Sequence, residues 1–427
     1  MRNDLPHNVM DHTRWDRAPR VEVIAQYLIA ANVPTFIAYA IAYIGVTTVT
    51  SWALRALAPS PDFGSFGSTQ GLLVNTRTAT APQEVVYGTV RKGGVVTYVE
   101  STGNTNKFLH YIICLAGHEV NAINDVYIND QIVTIGSDYF VSDTRWKDAD
   151  GNAKVYIRKF EGTDTQNIYN SLNSITNPPE WKIGGNAPTN NEGSNFKGEG
   201  IACVYVRMEY DQTVFAEGIP LFTAVVQGKK VYDPRASSSS YSANAALCIR
   251  DYLTSAYGVD NTGDTNDTVF SAAANACDES VSQVGSTTEN RYEINGVISL
   301  DRSPSDILAD LMTACSGTLF WGQGKWQLKV GEYTTPVKTF TLDDFRSGIN
   351  LQTKHSRRDN FNIVRGMFNS AANNYVRSDY PEIRGSTFIA NDANVESALD
   401  YHLPFTTSAS ICLLYTSDAA DDGLSVD

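Results

Sequence analysis

From Leu72 onward the chain reads as one short strand after another, and no other feature limits its fold as much. The stretches 82–100 (PQEVVYGTVRKGGVVTYVE), 107–120 (KFLHYIICLAGHEV), 126–135 (VYINDQIVTI), 200–211 (GIACVYVRMEYD) and 220–235 (PLFTAVVQGKKVYDPR) are apolar with period-two alternation. That period marks strands with a buried face. The first stretch predicts two strands around a basic, glycine-containing turn. Asn129-Asp130 predicts a tight hairpin, and DADGNAKVYIRKF (148–160) a further hairpin arm. Frequent Gly, Asn, Ser and Thr, with 22 Tyr and 17 Phe, fit the same β-rich texture.

Helical patterns come later, at 244–257, 268–277 and 304–316. The last is the clearest: Ser303 suits an N-cap, Pro304 the first helical position, Asp306 the helix dipole, and Gly317 the stop. A strand is expected over 291–300, and a hairpin over 318–333 turning at Gly322-Gln323-Gly324. The expected class is therefore α+β and β-rich, built from several small mixed or β-barrel-like domains. At 427 residues there is room for two to four of them. The divisions read as an N-terminal segment 1–58, a linker 59–71, a β-rich domain 72–235 with a polar insertion at 161–198, an α+β domain 236–340 beginning near the serine run 237–240, and a returning β-domain 341–410.

The two ends differ from the body. Residues 23–54 carry no charge, and Thr35–Leu54 is long enough to cross a bilayer as a helix. Small residues alternate there with Tyr and Ile, so the apolar helical arm 21–58 suits helix packing as well as lipid. Phe36, Tyr39, Tyr43 and Trp52 are its expected membrane- or partner-contacting residues. Residues 411–427, ending LLYTSDAADDGLSVD, look like the translation of a sequencing adapter, so the sequence reads as a fragment.

Composition and spacing argue against several functions. A formal net charge of −14 repels phosphate backbones, so no specific nucleic-acid binding is expected. The six cysteines include no CxxC pair and the six histidines no HxxxH or HxH; free thiols and no metal are expected. DADGN at 148–152 resembles a calcium loop, but its twelfth position is Lys159, so it reads as a turn. GQGK at 322–325 lacks the outer glycine and the hydroxyl residue of a phosphate loop. No GxSxG elbow or nucleophile pairing occurs, and neither an enzyme nor a cofactor is expected.

The basic cluster TKHSRRDNFNIVRG (353–366) remains. It lacks the interleaved aromatics of a stacking platform. It reads instead as a structural clamp at the entry to a strand with a buried face: Asp359 pairs with Arg357 or Arg358, and Arg357, Asp359 and Asn362 set the local geometry.

Several segments together resemble the tail-tip hub proteins of long-tailed phages, the J-type tip attachment (host specificity) family. They are VVYGTVRKGG (85–94), HEVNAINDVYINDQIV (118–133), GIPLFTAVVQGKKVYDPR (218–235), CIRDYLTSAYG (248–258), the unit 294–331, SRRDNFNIVRG (356–366), DYPEI (379–383) and LPFTTS (403–408). They run in family order over roughly 72–410. The resemblance implies a homotrimeric hub at the virion tail tip, made in the bacterial host cytoplasm from a phage or prophage. Such a hub closes the tail tube, meets tape-measure and other tip proteins, and supports attachment to a host cell-surface receptor. On these segments Tyr87, Gly88, Arg91, Gly94, Arg235, Arg250, Trp321 and Trp326 join Arg357, Asp359, Asn362 and Arg365 as expected structural or assembly residues. The rival readings are a membrane-anchored or secreted bacterial carbohydrate-binding protein, and a tail-associated cell-wall hydrolase.

Overall fold

The computed structural model describes residues 73–78, 80–168, 197–282, 288–332, 335, 338–341, 344 and 361–409. The apolar arm with Phe36, Tyr39, Tyr43 and Trp52, most of the insertion 161–198, the pair Arg357 and Asp359, and the segment 411–427 lie outside the described residues.

Two four-stranded antiparallel sheets form the larger part of the fold. One runs β3 (Val95–Thr102), β4 (Phe108–Ala116), β8 (Ala202–Glu209), β7 (Val155–Phe160); the other runs β2 (Thr89–Lys92), β9 (Phe222–Gln227), β5 (Ala122–Ile128), β6 (Gln131–Val133). Their inner faces share one core, and the period of two shows which residues supply it. Leu109, Tyr111, Ile113 and Leu115 come from β4, Val204, Val206 and Met208 from β8, and Phe222, Ala224 and Val226 from β9. The opposite face of β4 and β8 is also covered: Ile112, Cys203 and Tyr205 pack with Tyr156, Phe160 and Ile168 in a second cluster.

A third core belongs to the helices. α1 (Ala245–Thr254), α2 (Asp267–Cys277) and α3 (Pro304–Thr313) pack around Leu247, Tyr252, Phe270, Leu311 and Cys315. β1 (Glu84–Tyr87) is the wall between this core and the sandwich, and it pairs with β14 (Gly296–Ser299). Alternation along β1 sends Val86 into the sandwich core and Val85 and Tyr87 into the helical one. The segments 72–235 and 236–340 are thus joined by a shared pair of strands.

The remaining pairings are small: β10 (Lys230–Asp233) with β11 (Ser238–Tyr241), β12 (Ser280–Ser282) with β13 (Thr288–Asn290), β15 (Thr318–Gly322) with β16 (Lys325–Lys329), and β18 (Met367–Ser370) with β19 (Val376–Asp379). A three-stranded sheet orders β20 (Ile383–Arg384), β17 (Ile363–Arg365) and β21 (Ala398–Asp400), next to the short α4 (Ser386–Asn391). The fold is α+β and β-rich, and among the described residues no sheet closes into a barrel.

Local signals behave as their chemistry requires. Ser303 caps α3 by accepting from the Asp306 N–H, and Asn244 caps α1 by accepting from the Leu247 N–H. Asn129 and Asp130 both have positive φ in the β5–β6 turn, as do Gln323 and Gly324 between β15 and β16. The Asp148 carboxylate accepts from the N–H groups of Asp150 and Asn152 and pairs with Lys154, so DADGN is a turn. Two expectations change. Ser238–Ser240 of the serine run, read as marking a boundary, lie in β11, which pairs fully with β10. The stretch 82–100 is three strands rather than two, since the chain turns first at Gly88 and again at Gly93-Gly94 to join three different sheets.

Candidate functional site

The strand between the turns at Gly88 and Gly94 carries two cations into the interior of the described fold. Arg91 and Lys92, expected in an exposed turn, lie on β2 and are almost fully buried. β2 alternates, so Arg91 points away from the sandwich core. Its guanidinium lies over the Tyr127 ring, 3.9 Å from the centroid. Its Nε donates to Thr223 Oγ1 (2.9 Å) and its Nη1 to the Asn374 carbonyl (3.4 Å), while Nη2 pairs with Asp130. Asn374 sits between β18 and β19, 283 residues further along the chain. One side chain therefore ties together β2, β9, the β5–β6 turn and the C-terminal part of the described fold.

Lys92 donates to the Leu115 carbonyl and pairs with Glu84. Burial lowers its pKa, and Glu84 opposes that shift. On the helical side Asp251 Oδ2 accepts from Tyr87 Oη (2.5 Å) and from Lys229 Nζ (2.7 Å). Burial, then Asp251, pushes the Tyr87 phenol well up, so it remains a donor. Burial opposes the charge on Lys229, yet Asp251 and Tyr257 beside it hold its pKa above the ordinary value. His118 accepts the Val86 N–H at Nε2 (2.9 Å) and donates from Nδ1 to the Glu119 carbonyl (2.7 Å), which only the neutral ring can do. Burial lowers its pKa accordingly. Chemically the region is a clamp that fixes where sandwich, helices and C-terminal part meet.

The expected residues separate into groups. Tyr87, Gly88, Arg91 and Gly94 come together at this seam; at Gly94 a Cβ would stand 2.2 Å from the Cys114 carbonyl oxygen. Arg235 pairs with Asp233 and with Asp278 (2.8 Å each), fastening the end of β10 to the C-terminus of α2, where a cation also complements the helix dipole. Arg250 binds Asp267, the first residue of α2, at 2.8 Å. Trp321 and Trp326 face each other across β15 and β16, their rings edge-to-face at 5.4 Å, with Trp321 53% exposed. Asn362 is buried, donates to Asp392 and the Val395 carbonyl, and accepts from the Ser397 N–H, so it sets the local geometry around β17. Arg365 pairs with Asp400 at 2.7 Å, an exposed contact of small energetic weight.

Lys92, His118, Lys229 and Asp251 were not singled out by the sequence. Lys92 in RKGG and Lys229 in QGKK sit in short polar stretches that read as surface turns, Asp251 lies within the helical pattern 244–257 and His118 at the end of an apolar strand stretch, and no spacing links the four. Among the described residues no group of three or more His, Cys, Asp or Glu is arranged to hold a metal ion. No helix among them is long and apolar enough to cross a membrane.

The outer face of β4 supplies a pH probe. His110 is held between Thr102 Oγ1 (2.6 Å) and Tyr205 Oη (2.7 Å), and burial, with Arg207 nearby, lowers its pKa from 6.5 to about 3. The unfolded chain therefore takes up the proton first. The stability this neutral ring contributes is complete above about pH 6.5 and is lost progressively as pH falls toward 3. Urea unfolding is expected to show a loss of about 2 kcal/mol between pH 7 and pH 5 from this group, with His118 acting in the same direction. His110→Gln should flatten that dependence.

No family model matches the chain, and no curated protein matches it. Among solved structures, a chain of the virion of a native gene transfer agent particle has a similar fold. The TM-score is 0.54 at 11% identity, covering 90% of this chain and 84% of that one.

Proposed function

We propose that this chain is a structural protein of a phage-type tail tip, a J-type hub that closes the distal tail tube and supports host attachment and DNA delivery. The observation that carries this reading is the shared fold with a virion chain over nine-tenths of the present sequence. The ordered set of segments from 85 to 408 supports it independently. The hub would act as a homotrimer with other tip and tape-measure proteins, with no chemical catalysis in this region. The clamp at Arg91 suits such a role, because a ring subunit must hold its small domains in fixed relation while neighbours load them. Immunogold electron microscopy of particles from the producing host tests the proposal. Gold at the distal end of the tail is expected. Labelling confined to the capsid, or to the cell envelope without particles, would overturn it.

A further inference from the structure

We infer that Cys114 and Cys203 form an oxidation site, a cross-strand disulfide that staples β4 to β8 at the centre of the first sheet. The two residues are direct register partners on these strands. Directly opposed residues project to the same face. Here that face is the second cluster, where Ile112 and Tyr205 form the next pair on that face.

The class of the pair follows from the ladder. Tyr210 donates its N–H to the Lys107 carbonyl (2.8 Å), which makes Lys107 and Tyr210 a hydrogen-bonded pair. Steps of two along the register put Leu109–Met208, Tyr111–Val206 and Ile113–Val204 in the same class, and Cys114–Cys203 in the other. The Glu209 N–H, donated to the Lys154 carbonyl on the β7 side, gives the same parity. In a pair of that class the Cα atoms are about 4.5 Å apart, within the roughly 4.4–6.8 Å that a disulfide spans. That spacing is one a disulfide can bridge, and the pair lies beside the register shift between Cys114 and Ala116.

The order of events is set by access. Cys114 is partly exposed beside Thr97, whereas Cys203 is buried. With a small-molecule disulfide as oxidant, the Cys114 thiolate attacks one sulfur and expels a small thiolate, giving a mixed disulfide. The Cys203 thiolate then attacks Cys114 Sγ, forms the Cys114–Cys203 bond and expels the second thiolate. Two protein thiols are oxidised, one disulfide is reduced to two thiols, and the two protons go to the leaving thiolates. Burial pushes both protein thiols up, Cys203 well up, so the reaction is slow. If the chain serves in a virion, the pair is reduced during assembly and oxidised after release; that consequence rests on the proposed function, but the linkage does not.

The test is incubation of the folded, full chain with glutathione disulfide, alkylation of remaining thiols, tryptic digestion without reductant and mass spectrometry. A species joining peptides 108–145 and 198–207 is expected, and it should vanish on reduction. Cys203→Ser should instead stop at a glutathionyl adduct on Cys114. Free thiols at both positions, a lasting adduct on Cys114 in the wild-type chain, or Cys203 joined to Cys248, Cys277 or Cys315 would each overturn the inference, whatever the immunogold result.

Discussion

Gly88→Ala is expected to lower the stability of the folded chain by about 3 kcal/mol or more, the steepest loss of any single methyl addition at the seam. Two costs add. Gly88 has a φ of +61°, where an alanine loses about 1 kcal/mol before any contact is considered. A Cβ there would also stand 2.1 Å from the Ile294 carbonyl oxygen and 2.3 Å from Asn295 Oδ1. The first is backbone and cannot rotate away. The second already accepts the Thr89 N–H at 2.8 Å, so displacing it leaves that donor unpaired. Gly151→Ala is the internal control: its φ is +84°, but nothing lies within 4 Å of the added Cβ. It should cost only about 1 kcal/mol. Urea unfolding of both variants measures the difference, and equal midpoints would mean that the close approach of Ile294 carries no weight.

Gly88 also marks the boundary of what the sequence discloses. Elements governed by local chemistry were legible. Ser303 and Pro304 announce α3, Asn129-Asp130 and Gln323-Gly324 announce hairpins, and the long apolar run YIICLA is explained by a β4 that is covered on both faces. The partner of each strand was not legible. VVYGTVRKGGVVTYV feeds three sheets, yet a period of two looks the same whichever strand lies alongside. β1 finds its partner in β14, across the whole first sandwich. The same limit hid the site. A charged residue beside glycines is ordinarily exposed. Arg91 and Lys92 are buried only because Asp130, Thr223, Glu84 and the Leu115 carbonyl, all distant or unremarkable in sequence, are brought to them. Tyr87, Gly88, Arg91 and Gly94 were reached through family resemblance; their common location comes from the fold.

Arg91→Ala is the second substitution expected to be severe, at about 2–4 kcal/mol, and the two ends of its ion pair should respond unequally. Arg91 is 2% exposed and Asp130 is 68% exposed at the side chain. Removing the arginine strands a carboxylate that water can still solvate, so the loss comes from the emptied space over Tyr127 and the missing bonds to Thr223 and Asn374. Removing the carboxylate by Asp130→Ala leaves a guanidinium in the interior without its counter-charge, the more costly kind of orphan. Asp130→Ala should therefore destabilise the wild-type chain by more than it destabilises Arg91→Ala, with a coupling of about 1–3 kcal/mol in a double-mutant cycle. Arg91→Lys should restore only part of the loss, because one ammonium cannot stack on Tyr127 and reach Asp130, Thr223 and Asn374 together. Hydrogen exchange then separates clamp from local packing. If Arg91 holds the C-terminal part in place, amides at 374–379 should exchange faster in Arg91→Ala, while those of β4 and β8 change only with global stability. Equal acceleration in both places would reduce Arg91 to a packing residue of its own sheet.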